Sequence, residues 1–319
     1  TSNKLGSPAM SDARENIDKL IAQLAEQGYI ASSAIATTLY IAQQLERPIL
    51  IEGPPGVGKT ELANATAAML NKPMFRLQCY EGLDESKALY DWKYSKQLLY
   101  VQVLKEQLQE ILNGAEGLSS AVERLHNFDD IFYSERFLEP RPLLKALQSD
   151  SGAVLLIDEI DKADYEFESL LLEILADFKV TLPEIGTLSA VHKPLVILTS
   201  NNTRDLSDAL KRRCLHLYIP FPEAKLENQI VQSRVPEVPE VLRRQLVDFV
   251  HSVRSFDLKK QPAISETIDW ARSLLLLHSD RLSKQLVEDT LNVLLKYEED
   301  IAMVTPELHS LIKKSDREL

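Results

Sequence analysis

Between residues 12 and 46 apolar side chains recur three and four apart: Ile17, Leu20, Ile21 and Leu24, then Ile35, Leu39, Ile41, Ala42 and Leu45. This spacing predicts two amphipathic helices, broken at Gly28-Tyr29-Ile30, with Ser32 or Ser33 placed to cap the second. After Pro48 the pattern changes to a short apolar strand over 49–52, a glycine-rich turn, and an alanine-rich helix to about Leu70. Asn71-Lys72-Pro73 makes a turn, and in the next stretch Phe75 and Leu77 alternate with polar residues as in a half-buried strand. Residues 153–157 are apolar without alternation and end in Asp158-Glu159, which suits a buried central strand of a parallel sheet. A helix follows with Phe167, Leu170, Leu171, Ile174, Leu175 and Phe178 on one stripe. Residues 180–191 read as a hairpin turning at Pro183-Glu184-Ile185-Gly186, and 195–199 as a further strand. A helix to about Arg213 then leads into LHLYI, a last short strand ended by Pro220 and Pro222.

Two stretches are less regular. Residues 79–103 carry Tyr80, Tyr90, Trp92, Tyr94 and Tyr100 without a clean period. They fit either an irregular excursion packed on the core or a projecting insertion that touches a partner or a central pore. Residues 105–126 return to helical spacing, interrupted at Asn113-Gly114, and 137–147 predict a short helix. Beyond Pro222 every stripe is helical, which divides the chain into a mixed helix-and-strand core over 11–222 and an all-helical region over 223–319. Residues 1–10, opening TSNKLGSPA, look like a cloning leader and are set aside.

Composition narrows the classes. The 319 residues are 45% hydrophobic and 26% charged, enough for a sizeable core in an α/β protein. A net charge of -12 disfavours non-specific binding to a phosphate backbone. No apolar run is long enough to span a membrane, and Cys79 and Cys214 lack C-x-x-C spacing, so a reducing, cytoplasmic setting is expected. The six histidines do not pair at metal-ligand spacing, and there is no G-x-S-x-G elbow.

The turn after the first strand carries the chemistry. Gly53, Pro54, Pro55, Gly56, Val57, Gly58, Lys59, Thr60 and Glu61 form the candidate nucleotide-binding segment, with G-x-x-x-x-G-K-[ST] in register. The glycines let the backbone curl its N–H groups into an anion nest, and the helix N-terminus adds its donors and dipole. Lys59 can reach the outer phosphates of ATP, and the Thr60 hydroxyl can ligate Mg²⁺. Asp158 stands at the carboxyl end of a buried strand, suited to hold Mg²⁺ through its water shell, and Glu159 can orient and deprotonate an attacking water. Asn201, with Asn202 as the alternative, ends the neighbouring strand where an amide could distinguish ATP from ADP. Lys211-Arg212-Arg213 is either a solvated basic face or the source of an arginine, Arg213 ahead of Arg212, that reaches a neighbouring subunit's phosphate.

GPPGVGKT, VLLIDEID, LTSNN and ALKRRC, in this order, resemble an AAA+ ATPase. RLQCYEGLD, EPRPLLKAL, TLPEIGT and ISETIDWARSLL are similar to the MoxR branch, near its CoxD-like members, where a von Willebrand A-domain protein is the usual associate. The resemblance implies Walker A at Lys59 and Thr60, Walker B at Asp158 and Glu159, sensor 1 at Asn201 and an arginine finger at Arg213. It also implies an insertion in the second core helix over about 82–103 and a hairpin before sensor 1 over about 180–191. The fold implied is five parallel strands in the order 5-1-4-3-2 with an all-helical lid, assembled as a hexameric ring. The activity implied is Mg-ATP hydrolysis by a chaperone-like remodeller acting on a protein complex, in some relatives a metalloenzyme. The chain departs from the pattern at sensor 2. Ser265, Glu266 and Thr267 stand where many relatives place an arginine, and the nearest, Arg272, lies further along. The competing readings are an AAA+ motor on nucleic acid, a small-molecule kinase and a nucleotide-gated scaffold with little turnover.

Overall fold

The computed structural model describes residues 10–103, 137–182 and 185–317. Its first two helices are α1 (Met10–Glu26) and α2 (Ser33–Leu45). The Ser32 Oγ accepts the Ile35 N–H at 3.3 Å and starts α2, and Glu46 in a left-handed conformation ends it. Strand β1 (Ile49–Glu52) leads through the glycine turn into α3 (Lys59–Met69), and Asn71, also left-handed, precedes β2 (Met74–Gln78). Next come α4 (Glu85–Ala88), β3 (Tyr90–Trp92) and α5 (Tyr94–Val103), then β4 (Leu138–Pro140) and α6 (Pro142–Leu147). Strand β5 (Val154–Asp158) is followed by a 3₁₀ turn at Ile160–Lys162 and by α7 (Tyr165–Asp177). The hairpin strands β6 (Lys179–Leu182) and β7 (Gly186–Ser189) precede β8 (Leu195–Ser200), α8 (Asp208–Arg213) and β9 (Leu215–Tyr218). The remainder is helical: α9 (Ala224–Arg234), α10 (Glu240–Val253), α11 (Ile264–Leu276), α12 (Lys284–Leu294), α13 (Glu298–Val304) and α14 (Leu308–Arg317).

Five strands form one parallel sheet in the order β2-β5-β8-β1-β9. Counted among themselves in chain order and read from the β9 edge, they run 5-1-4-3-2, as the resemblance implies. Alternate residues of the central strands face opposite layers, as the period of two requires. Leu155 and Ile157 of β5, Val196 and Leu198 of β8 and Leu50 of β1 pack with α6 and α7. Val154 and Leu156, Ile197, and Ile49 and Ile51 pack on the opposite face with α2 and α3. Helix α3 presents Ala63, Ala65 and Ala67 to this layer, small side chains that let it lie close beneath the sheet. The fold is therefore a parallel five-stranded α/β sheet flanked by helices, with a helical C-terminal region.

Two expectations change in detail. The predicted helix over 137–147 starts only at Pro142, because residues 138–140 pair antiparallel with β3, and Pro142 then supplies a ready-made first helical turn. The stretch 79–103 resolves into α4, β3 and α5, with Asp84 capping α4 by accepting the Lys87 N–H at 3.0 Å. The expected helical spacing over 105–126 and the turn residues 183–184 lie outside the described residues, and the hairpin register on either side is Lys179 opposite Ser189 through Leu182 opposite Gly186.

The C-terminal helices bury a core of their own around Phe249, Trp270, Leu274 and Leu291. The indole N–H of Trp270 finds the Thr290 hydroxyl at 2.8 Å. At the inner end of this bundle Glu227 of α9 is fully buried. It accepts hydrogen bonds from Arg254 at 2.6 and 2.8 Å, from Thr267 of α11 at 2.7 Å, and meets His251 of α10 at 2.9 Å. Burial pushes its carboxyl up, but the hydrogen bonds from His251 and Arg254, the Arg254 charge and the Thr267 hydroxyl outweigh it and hold the group below its ordinary range. One charged side chain thus ties three helices together.

A depressed carboxylate stabilises the fold fully above the pH at which unfolded glutamates titrate, and the contribution is lost as pH falls toward the folded value. Stability read from Trp270 fluorescence is therefore expected to decline on acidification below about pH 4.5. Glu227→Gln, which leaves the Arg254 guanidinium without its counter-charge, is expected to cost about 3 kcal/mol in urea unfolding and to flatten that acid limb. An unchanged urea midpoint would show that the hub is dispensable.

Candidate functional site

The site grows from the carboxyl ends of β1, β5 and β8. Gly53 leaves β1 at φ +153°, and a Cβ built there would lie 2.1 Å from the carbonyl oxygen of Ile219, so no side chain fits where the loop passes the end of β9. Gly56 is left-handed at φ +75°, and a Cβ there would meet Ala263 at 2.5 Å and Ser265 at 2.8 Å, at the start of α11. Gly58, at φ +92°, caps α3, whose first turn points its N–H groups into the loop.

Lys59 reaches back under this loop. Its ammonium donates to the Gly53 carbonyl at 2.6 Å, the Pro54 carbonyl at 2.8 Å and the Asn201 Oδ1 at 2.7 Å, and the residue is only 7% exposed. Burial lowers its pKa to about 8, against the upward pull of the Asp161, Asp158 and Glu159 carboxylates. Thr60, one residue on, sits with its hydroxyl 3.2 Å from both oxygens of Asp158.

Asp158 is buried and well provided with partners. The Thr199 hydroxyl donates to Oδ1 at 2.5 Å and the Arg76 guanidinium pairs with Oδ2 at 2.6 Å. Glu159 follows in a left-handed conformation (φ 56°), uncommon for a side chain of its size, with its N–H bonded to the Thr199 hydroxyl at 2.9 Å. This turn projects its carboxylate toward Asn201, whose amide donates to Oε1 at 3.2 Å. The other oxygen, Oε2, takes the Gln78 amide at 2.8 Å and Lys162 at 2.6 Å. Asn202 turns back on Ser200 through its own N–H at 3.0 Å, so of the two asparagines it is Asn201 that enters the cluster. Below it, burial raises the Asp161 carboxyl, yet the Thr203 hydroxyl at 2.6 Å and N–H at 3.0 Å help hold it under its usual range.

Lys59, Thr60, Asp158, Glu159 and Asn201 are thus brought together. Arg213 is not. It stands exposed at the end of α8, and among the described residues the side chains of Arg212 and Arg213 make no hydrogen bond or ion pair. Their backbone carbonyls, however, are gripped by Arg47, at 2.7 Å for Arg212 and 3.3 Å for Arg213. Glu61 turns away from the loop to pair with Arg234 of α9 at 2.8 Å.

Beside the loop lies a cavity of about 480 Å³. Tyr29, Ile35, Val57, Ile219, Phe221 and Ile268 give it apolar walls, and Gly56, Ser265 and Arg272 also line it. Arg272 is paired with Asp269 at 3.5 Å. An apolar slot adjoining a glycine cradle suits a flat heterocycle carrying phosphates. The donor set suits magnesium as well. Thr60 and Asp158 offer hard oxygens side by side, and among the described residues no cluster of three His, Cys, Asp or Glu side chains forms a rival cation site.

Sequence patterns missed Arg76, Gln78, Thr199 and Lys162. Arg76 and Gln78 are the polar half of an alternating strand, which marks a face without saying what it meets. The hydroxyl of Thr199 gains meaning only from its neighbour β5.

A family profile described as an AAA domain of the dynein-related subfamily matches residues 48–214, just over half of the chain. The chain is 24% identical over 239 residues to an uncharacterized protein of Staphylococcus saprophyticus, covering 73% of this chain and 77% of the relative. It is 25% identical over 251 residues to one of Staphylococcus haemolyticus, covering 76% and 81%. Among solved structures, a proline-to-glycine mutant of Thermotoga maritima RuvB aligns with a TM-score of 0.45 at 18% identity, covering 87% of this chain and 72% of that one. The Thermotoga maritima RuvB Holliday junction branch migration motor aligns at 0.41 and 18%, covering 89% and 69%.

Two glycines separate conformational from steric need. Gly28, at φ +76°, has open space around its Cβ position, whereas Gly53 does not. Gly28→Ala is expected to cost about 1 kcal/mol through the left-handed backbone alone. Gly53→Ala, forced against the Ile219 carbonyl, is expected to cost about 3 kcal/mol or more, measured by thermal melting of the two variants side by side. Equal losses would mean that the loop exit tolerates a side chain.

Proposed function

The chain belongs to the dynein-related subfamily of AAA domains, and we propose that it is a magnesium-dependent ATP hydrolase whose turnover is completed between subunits of a ring. The observation that carries this reading is the convergence of Lys59, Thr60, Asp158, Glu159 and Asn201 at the carboxyl ends of three adjacent strands. The glycine cradle and Lys59 would hold the phosphates, and Thr60 with Asp158 would hold magnesium, which supplies charge neutralisation on the phosphate oxygens. Glu159 is the group suited to take a proton from an attacking water, and Asn201 orients it from the opposite side. The cavity lined by Tyr29, Phe221 and Arg272 would take the base. Among the described residues, no arginine of the cluster stands free to meet the far end of a triphosphate. Arg213, exposed at the end of a helix with no side-chain partner among the described residues, is the residue we assign to a neighbouring subunit's site.

The finer assignment rests on the sequence. RLQCYEGLD, TLPEIGT and ISETIDWARSLL support membership of the MoxR branch. From that likeness comes the proposal of a hexameric, chaperone-like remodeller acting with a von Willebrand A-domain protein on another protein complex. The division into a core over 11–222 and a lid over 223–319 belongs to the same proposal. The net charge of -12 favours a protein target over nucleic acid. A scaffold that only binds nucleotide is the reading to set against hydrolysis, because Glu159 is tied to Gln78 and Lys162.

The test is steady-state ATP hydrolysis as a function of protein concentration. Turnover per subunit is expected to rise steeply with concentration in the native chain. Arg213→Ala is expected to remove that rise while leaving ATP binding intact, and Glu159→Gln to lower turnover by about a hundredfold or more at unchanged affinity. Turnover that is independent of concentration and untouched by Arg213→Ala would sink the ring mechanism. Full function in a Glu159→Gln chain would establish the scaffold instead.

The depressed Lys59 pKa adds a pH signature. A lysine titrating at about 8 loses its charge as pH rises through that value, so the attraction for phosphate is complete below it and fades above. ADP affinity is expected to fall by about an order of magnitude between pH 7 and pH 9 in equilibrium binding, a loss absent from Lys59→Arg.

A further inference from the structure

Asp158 is a buried carboxylate, and a buried charge needs a counter-charge. The phosphate-loop lysine does not bond it: Lys59 places its donors on two backbone carbonyls and an amide oxygen. The cation that pairs with Asp158 comes instead from the edge of the sheet. Arg76 of β2 places Nη2 2.6 Å from the Asp158 Oδ2, and the same nitrogen donates to the Gln78 Oε1 at 2.7 Å. Gln78 passes the link on to the Glu159 Oε2 at 2.8 Å. Arg76 and Gln78 are two apart on β2, on one face, so a single edge strand holds both acidic residues of the site.

The geometry points to Arg76 as a positioning residue that competes with a divalent cation for Asp158 and so sets the metal concentration at which the site fills. This rests on the nucleotide-hydrolase reading above. Both Asp158 oxygens lie 3.2 Å from the Thr60 hydroxyl, so a cation held by Thr60 and Asp158 would meet a carboxylate that Arg76 already pairs with at Oδ2. A guanidinium cannot give up its charge at ordinary pH, so it opposes a cation brought to that carboxylate for as long as it stays paired there. Arg76 can be displaced cheaply because its side chain is about half exposed (49%) and re-enters water on release, whereas Asp158 cannot leave.

The experiment is equilibrium binding of Mn²⁺, a paramagnetic stand-in for Mg²⁺, to the full chain with saturating ADP, read by electron paramagnetic resonance. Arg76→Ala is expected to lower the apparent Mn²⁺ dissociation constant by about fivefold, the scale of a partly exposed ion pair. Arg76→Gln, which keeps a hydrogen-bonding amide on β2, is expected to move in the same direction and serves if the alanine variant is poorly folded by circular dichroism. A constant that is unchanged or raised in a folded variant would overturn the proposal, because Arg76 would then be steadying Asp158 for the metal and not competing with it. A native chain that binds no ADP at any Mn²⁺ concentration would remove the hydrolase reading itself, an outcome distinct from an unshifted constant.

Discussion

The hydrogen bond from Thr199 to Asp158 depends on strand register, and the rest of the site depends on it. β5 and β8 run parallel with Ile157 opposite Leu198, so the next residues of the two strands, Asp158 and Thr199, stand side by side at the end of this pairing. The Thr199 hydroxyl then serves twice, donating to Asp158 and accepting the Glu159 N–H, which holds the left-handed turn that throws Glu159 toward Asn201. A slip of one residue would turn every side chain of β5 to the opposite face and break both bonds at once. Leu155 and Ile157 on one side and Val154 and Leu156 on the other are all apolar, so polarity does not choose this register; the close packing of both faces and the bonds at the strand end do.

Much of this was legible in the sequence, for reasons that differ from element to element. The loop from Gly53 to Thr60 is local: its glycines, its lysine and its helix start are adjacent in the chain, so spacing alone describes it. β5 announced itself because five consecutive apolar residues have few other uses. The strand order came from the resemblance and not from any pattern within the chain. What could not be read was everything that depends on which strand lies beside which. Arg76 and Gln78 look like the solvent face of a half-buried strand until β2 is set beside β5, with Gln78 level with Asp158. The hub at Glu227 was hidden because its partners Arg254 and Thr267 lie 27 and 40 residues away, on other helices or at their ends. The helix predicted over 137–147 began late because residues 138–140 are claimed by β3, a pairing no local propensity foretells.

The departure at sensor 2 also has a physical counterpart. Where the AAA+ resemblance leads one to expect an arginine, Glu266 folds back to accept the Ala263 N–H at 3.2 Å and the Ser265 hydroxyl at 2.8 Å, and pairs with Lys260 at 3.3 Å. The start of α11 is thereby closed on itself and laid against Gly56, so contact between the C-terminal helices and the phosphate loop is steric. A second link, Glu61 to Arg234, joins α3 to α9. One contact falls on the loop after β1 and the other on the first turn of α3, and neither requires a charge aimed into the loop.

Strand β1 is only four residues long, yet its two ends are committed to different tasks. Just before it, Arg47 grips the last carbonyls of α8, the helix that carries Arg213 outward; just after it, Gly53 opens the phosphate loop. A strand of this length spans about 13 Å and hardly stretches, so the two attachments share one rigid mount. For a lineage of such chains this is an inheritance constraint. A substitution that re-seats β1 to suit one end is felt at the other, so the loop and the outward arginine share one mechanical support.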